Sequence, residues 1–188
     1  MKASNALAYK EWSVLCRQLH EGDGVLSLVK AFDSDEREFA LLPVYSGQDP
    51  GAMKPHVWMS WRHELKAPLT GHVYVRDYAI VSGVFHVTDL DDLKACDTEH
   101  GLAWPELERR FGEGNEPGLD ALVLRVYFLP RSYRMVDREE LEKKEGRVLT
   151  LPEAISTEGA VPAVEEEDFQ RRLRLVRSAL GRDASQAA

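Results

Sequence analysis

The stretch ALVLRVYFLP, Ala121–Pro130, is an apolar run that one arginine interrupts and a proline closes. Strand alternation places Arg125 beside Tyr127 on one face, while the opposite face is wholly apolar. An unpaired buried guanidinium is very costly, so Arg125 must either pair with a carboxylate or face a cleft. The run therefore predicts a core strand, and Arg125 is the first choice for a binding residue because guanidinium recognises carboxylate or phosphate in a bidentate way.

Further strands are predicted in the middle of the chain, with helices towards both ends. The β-branched stretch His72–Val87 is too long for one flat strand, which predicts a bulge or bend near Asp77 or Gly83. Other predicted elements are an N-terminal helix from Ser4 or Asn5 to Leu19, a strand Val57–Trp61, a helix Trp104–Phe111 and a C-terminal helix from Val164 to Leu180. This order predicts an α+β fold with a small, strongly bent, mostly antiparallel sheet or half-barrel between the flanking helices.

Length and composition set the organisation of the chain and limit its partners. The 188 residues, with 44% hydrophobic and 30% charged content, predict one domain over residues 1–180 and a frayed tail over residues 181–188. The net charge of −8 argues against broad binding to DNA or RNA, which requires a basic surface. A nucleic-acid site would have to be a local basic cleft.

The cysteines and histidines carry no metal pattern. Cys16 and Cys96 are set among apolar residues and are predicted to be buried, reduced thiols. No zinc-type spacing occurs, the six histidines are scattered, and no apolar run reaches the length of a membrane span. We therefore expect a cytoplasmic protein that uses no metal and no cofactor.

Three sequence blocks carry a resemblance to a known family. They are KEWSVLCRQLHEGDGVLSLVK (Lys10–Lys30), REFALLPVYSGQD (Arg37–Asp49) and LVLRVYFLP (Leu122–Pro130), and VEEEDFQRRL (Val164–Leu173) agrees in order and spacing. Together they resemble the bacterial family called domain of unknown function 1802. A glycine-rich, cysteine-containing stretch that the family has after the third block is absent here. The resemblance implies a compact bacterial domain and no particular reaction.

A small number of polar and aromatic residues are candidates for a binding site or a structural ion pair. The predicted ligand-binding residues are Arg125, Lys54, Lys30, Gln48, Trp58 and Trp104. Glu11, at the edge of the predicted N-terminal helix face, is expected to form a structural ion pair with Lys30 or Arg125.

These residues leave three hypotheses about function open. The first is a binding module for a nucleotide, a nucleic-acid element or a small anionic ligand, because the order of elements from Gly71 through Trp104 to the 121–130 strand resembles PUA-like or ASCH-like barrels. The second is a metal-dependent hydrolase or nuclease in which Glu11, Glu38 or Asp77 acts with Lys30. The third is a protein-interaction domain without a small ligand.

Overall fold

The computed structural model describes residues 1–181, so the predicted frayed tail lies outside the described residues except for Gly181. The strands are β1 (Ser4–Trp12), β2 (Leu26–Val29), β3 (Glu38–Val44), β4 (Val73–Val87), β5 (Leu119–Met135), β6 (Val148–Ser156) and β7 (Val161–Pro162). The α-helices are α1 (Ser13–His20), α2 (Pro55–Trp61), α3 (Trp104–Phe111), α4 (Arg138–Lys143) and α5 (Glu166–Leu180). Short 3₁₀ helices cover Pro50–Ala52, Arg62–Leu65 and Leu90–Glu99.

The strands form one open sheet in the order β2-β5-β4-β3-β1-β6, with β7 paired to β5. Strands β1 and β3 run parallel, and the other pairs are antiparallel. Three strands separate β1 from β2 in this order, yet the hydroxyl of Tyr9 on β1 lies 2.8 Å from Ser27 Oγ on β2. The sheet must therefore curl on itself, and the predicted bent, mostly antiparallel sheet in an α+β fold is confirmed.

Strand β5 is the centre of this arrangement, as its apolar length predicts. It pairs with β2, β4 and β7. Leu122 and Leu124 fill the concave side of the sheet together with Phe39. Ala121 and Val123 lie on the other side, in a core that the helices cover. Burial of both faces explains why the strand reads as a continuous apolar run.

The long strand β4 is irregular at two places. Its pairing with β5 shifts register between Val75 and Asp77 and again between Val81 and Gly83. Both irregularities lie where the length and composition of the strand predict a bulge or bend. Such a break changes which face of the sheet the following side chains occupy.

Two local predictions are wrong. The N-terminal segment is strand β1 up to Trp12, and only Ser13–His20 is helical. Since β1 lies between β3 and β6, its backbone is satisfied by strands distant in sequence, which overrides a local helical pattern. The predicted strand Val57–Trp61 lies in helix α2, where Pro55 occupies a first-turn position that suits proline.

Candidate functional site

Arg125, the residue that the sequence favours for a ligand, lies under helix α5. Its Nη2 is 3.0 Å from Glu166 Oε2, and its guanidinium stacks 4.5 Å from the ring centre of Phe169. The arginine side chain is only 7% exposed, whereas that of Glu166 is 70% exposed. Nε and Nη1 of Arg125 are buried without a hydrogen-bond partner among the described residues. Arg125 therefore has a carboxylate partner, and it lines neither of the two clefts described below.

Replacing Arg125 by methionine is expected to leave the free energy of unfolding unchanged or to raise it by about 1 kcal/mol or more, because a partly satisfied buried charge is costly. Urea unfolding followed by tryptophan fluorescence measures this. Glu166→Gln is the matched control, and it should lower stability slightly because it leaves the guanidinium without its carboxylate. A loss above about 1 kcal/mol in Arg125→Met would show that the protein needs this cation.

The two predicted lysines hold loops in place. Lys54 Nζ forms an ion pair with Asp97 Oδ1 at 2.8 Å and donates to the carbonyl of His100 at 2.9 Å. Lys30 Nζ donates to the carbonyls of Phe111, Glu116 and Gly118. Both ammonium groups are fixed by the framework, and they lie in different parts of the molecule.

The other predicted ligand residues are also dispersed. Gln48 bonds Ser13 Oγ and the backbone N–H of Val14, so it secures the first turn of α1. Trp58 packs against the helix-covered core. Trp104 donates from its ring nitrogen to Glu108. The structure therefore does not bring the predicted set together in one cleft.

Glu11 pairs with Arg147, not with Lys30 or Arg125. Its Oε1 lies 3.6 Å from Arg147 Nη1, and its Oε2 accepts a 2.5 Å hydrogen bond from Ser27 Oγ. Arg147 directly precedes β6, the neighbour of β1, while Arg125 faces α5. The order of the strands in the sheet, which the sequence does not reveal, determines which cation lies next to Glu11.

The carboxylate-lysine site of the hydrolase hypothesis is not assembled. Glu38 accepts hydrogen bonds from Tyr78 and from the backbone of Lys2, and Asp77 pairs with a histidine. Glu11 and Lys30 have the separate partners given above. Within residues 1–181, no three His, Cys, Asp or Glu side chains are grouped so that they could hold a metal ion.

A cleft of about 250 Å³ lies between α1, the end of β3, the segment 63–68 and the start of β4. We call it the α1–β4 cleft. It is lined by Ser13, Cys16, Arg17, His20, Pro43, Tyr45, His63, Glu64, Lys66, Pro68, Tyr74, Arg76 and Asp77.

The irregularity in β4 builds one wall of this cleft. Strict alternation would place Arg76 and Asp77 on opposite faces, but the register shift between Val75 and Asp77 lets both line the cleft. Asp77 is buried, and its Oδ1 lies 2.7 Å from His20 Nδ1 at the end of α1. The His20 ring also packs on Phe128, with ring centres 4.4 Å apart. His20 is thus held through Nδ1, and its Nε2 has no hydrogen-bond partner among the described residues.

The cleft combines free cations with aromatic rings. Arg76 and Lys66 are exposed and have no ion-pair partner in the described part of the chain. Arg17 is bound to Glu21 at 2.5 Å. Tyr45 and Tyr74 are half-buried in the same walls.

Two groups in the cleft stay neutral near pH 7. Burial and then the carboxylate of Glu64 raise the pKa of Tyr45 to about 12, so its hydroxyl is a neutral donor and acceptor. Burial and the charge of Glu11 raise the pKa of Cys16 well above its usual value. A buried neutral thiol is a poor nucleophile, so thiolate chemistry is not expected here.

Comparison with known families identifies the relationship that the sequence blocks indicate. The model of the family described as Domain of unknown function (DUF1802) matches residues 8–174. The chain belongs to this family. Comparison of this DUF1802 protein with curated proteins gave no match.

Among solved structures, ASCH from Zymomonas mobilis is similar to this chain. The ASCH structure is 10% identical, with 89% of this chain and 92% of that chain covered and a TM-score of 0.45. Two mutant forms of it give 8% and 9% identity, cover 90% of this chain and 94% and 96% of theirs, and have TM-scores of 0.45 and 0.46.

Sequence reasoning missed most of the cleft in this DUF1802 protein. Of its lining residues, only Asp77 is among the candidate catalytic residues that the sequence suggests, and there it belongs to the hydrolase hypothesis. A usable signal was present, because Arg76 and Asp77 are two charged residues inside a β-branched strand at the place where a bulge is predicted. The partner, His20, lies 57 positions away, and no local pattern connects the two.

In the described part of the chain, no helix has the length and apolar character needed to cross a membrane.

Proposed function

We propose that the α1–β4 cleft binds a nucleotide, either free or as a unit of a single-stranded nucleic acid. The observation that carries this proposal is the pair of unpartnered cations, Arg76 and Lys66, in one cleft with two tyrosine rings. A phosphate needs a cation that is not already neutralised, and a base needs an aromatic face. The cleft offers both within one space of about 250 Å³.

Each wall has a separate task in this proposal. Arg76 and Lys66 contact phosphate oxygens, since guanidinium and ammonium groups donate only. Tyr45 and Tyr74 stack against the base or the sugar. His20, which Asp77 holds through Nδ1, offers Nε2 to a polar group of the ligand, and its orientation is set before the ligand arrives.

The charge of the whole protein limits how much of a strand is bound. With a net charge of −8, long-range electrostatics repel a polyanion, so only the local phosphate contacts favour binding. Two phosphate contacts on a single strand predict a shallow salt dependence, with a slope of log affinity against log salt of about −1.4.

Arg76→Gln is expected to weaken nucleotide binding by roughly tenfold, because it removes one charged hydrogen-bonding group from the cleft. Lys66→Gln should act similarly, and Tyr74→Ala should reduce affinity by removing a stacking surface. The probes are nucleoside 5′-monophosphates in calorimetry and fluorescein-labelled RNA and DNA of about ten nucleotides in fluorescence anisotropy. Arg174→Gln, which removes an exposed, unpaired cation in the middle of α5, is the charge-matched control.

Comparison of these probes distinguishes a free nucleotide from a single strand as the ligand. Binding of monophosphates with the affinity of the oligonucleotide indicates a free nucleotide, and binding of the oligonucleotide alone indicates a strand. The proposal fails if neither probe binds, or if Arg174→Gln weakens binding as much as Arg76→Gln.

A further inference from the structure

A second cationic pocket of about 320 Å³ shares no lining residue with the α1–β4 cleft. We call it the Trp12 pocket. It lies beside α3, next to the C-terminal ends of β1 and β2 and the residue that precedes β6. It is lined by Trp12, Lys30, Ala31, Arg109, Arg110, Glu113 and Arg147, so four of its side chains are cations and one is a carboxylate.

Lys30 brings a charge that no carboxylate cancels. Its Nζ donates to the carbonyls of Phe111 at 3.0 Å, Glu116 at 2.6 Å and Gly118 at 3.2 Å. Carbonyl oxygens are neutral acceptors, so they fix the ammonium group and leave its charge in place. Among the described residues, no Asp or Glu forms an ion pair with it.

Arg110 is fixed just as firmly. Its Nε donates to Glu106 at 2.6 Å and its Nη1 to the carbonyl of Leu28 at 2.7 Å. Its guanidinium lies 4.7 Å from the ring centre of Trp12, and within residues 1–181 its Nη2 has no hydrogen-bond partner. Glu106 also binds Arg109 through both oxygens, so one carboxylate serves two guanidinium groups.

Arg147 also lines the Trp12 pocket, and it lies farther from its carboxylate partner than Arg110 does. It is 3.6 Å from Glu11, whose other oxygen is occupied by Ser27. It also donates a long hydrogen bond to the carbonyl of Lys10 at 3.4 Å and is hydrogen-bonded to the side chain of Tyr9. About a third of its side chain is exposed, so this guanidinium can still be reached by an anion in the pocket.

From this geometry we infer that the Trp12 pocket binds a compact phosphate group with at least two negative charges, such as a pyrophosphate or a phosphate monoester. The cations around the pocket are four, and the carboxylates that contact them are Glu11, Glu106 and Glu113. Cations that are fixed before binding lose little conformational entropy when an anion arrives. The inference does not depend on the proposed nucleotide site.

Inorganic pyrophosphate and inorganic phosphate are the probes, measured by calorimetry and by the change in tryptophan fluorescence. Arg147→Gln and Arg109→Gln are each expected to weaken pyrophosphate binding by about tenfold. Glu113→Gln is expected to strengthen it severalfold, because it removes the carboxylate that lines the pocket. Trp12→Phe should abolish the fluorescence change with little effect on the heat of binding.

Controls separate this site from the α1–β4 cleft and from a loss of folding. Arg76→Gln and Arg174→Gln should bind pyrophosphate as the unchanged protein does, and Arg147→Gln should bind nucleotide probes normally if these occupy the other cleft. Arg109 is exposed, so its variant tests the pocket even if Arg147→Gln is unstable. The inference is overturned if pyrophosphate does not bind at millimolar concentration, or if Arg109→Gln and Glu113→Gln leave its affinity unchanged.

Discussion

Glu106→Ala is expected to lower the free energy of unfolding by about 3–5 kcal/mol, because it leaves the buried guanidinium of Arg110 without its carboxylate. Both side chains of this pair are about 5% exposed, and they lie one turn apart on α3. Burial opposes ionisation of Glu106, but hydrogen bonds from Arg109 and Arg110 outweigh it and hold the pKa of the carboxyl below its usual value. The charged pair is therefore part of the folded state at neutral pH.

Urea unfolding of three variants tests this coupling. Glu113→Ala, which breaks only the exposed contact with Arg109, should change stability by less than about 0.5 kcal/mol. The double variant Glu106→Met with Arg110→Met should recover much of the loss, since apolar side chains of similar size avoid an uncompensated charge. A loss below about 1 kcal/mol in Glu106→Ala would contradict the buried-pair interpretation.

His100 is expected to make the protein lose about 3 kcal/mol of stability as the pH falls from 6.5 to 4. Burial, reinforced by the charge of Lys54, lowers the pKa of His100 from 6.5 to about 4. Between these values the unfolded chain binds a proton that the folded chain does not, so the free energy of unfolding falls as the pH is lowered. Well above pH 6.5 His100 is neutral in both the folded and the unfolded chain, so the residue contributes no pH dependence there.

The contribution of His100 is measured as the difference in the free energy of unfolding between the unchanged protein and His100→Leu at each pH. Carboxylates with lowered pKa values, such as Glu38, also lose their stabilising charge in acid, but they do so in both proteins. The stability of His100→Leu should therefore fall less between pH 6.5 and 4. Parallel stability profiles across this range would show that His100 does not titrate as its environment predicts.

The elements that the sequence predicts correctly are those with a strong local pattern. Strand β5 is apolar on both faces, α3 begins with a proline in its first turn, and α5 has acidic residues at its start and an apolar stripe. The irregularity in β4 follows from a strand too long and too branched to stay flat. Each signal lies within about 20 neighbouring residues, which is the range that periodicity covers.

Local sequence patterns are a poor guide to secondary structure and to side-chain roles where tertiary contacts determine them. Residues 4–12 carry a helical spacing but form a strand because β3 and β6 supply partners on both sides. Lys54 has the residue type of a ligand site, yet Asp97 and the backbone carbonyl of His100 bind it. Lys30 lines the Trp12 pocket, but three backbone carbonyls fix the position of its ammonium group. A carbonyl has no sequence signature, so this role is invisible in a list of side chains.

The α+β class, the family and the central strand follow from the sequence, and so does the requirement that Arg125 pair with a carboxylate or face a cleft. The pairing of Arg125 with Glu166, and the grouping of unpaired cations and tyrosines between α1 and β4, depend on tertiary contacts. A pair such as His20 and Asp77 forms between the end of α1 and β4, and the break in register of β4 places the Asp77 side chain within reach of the helix.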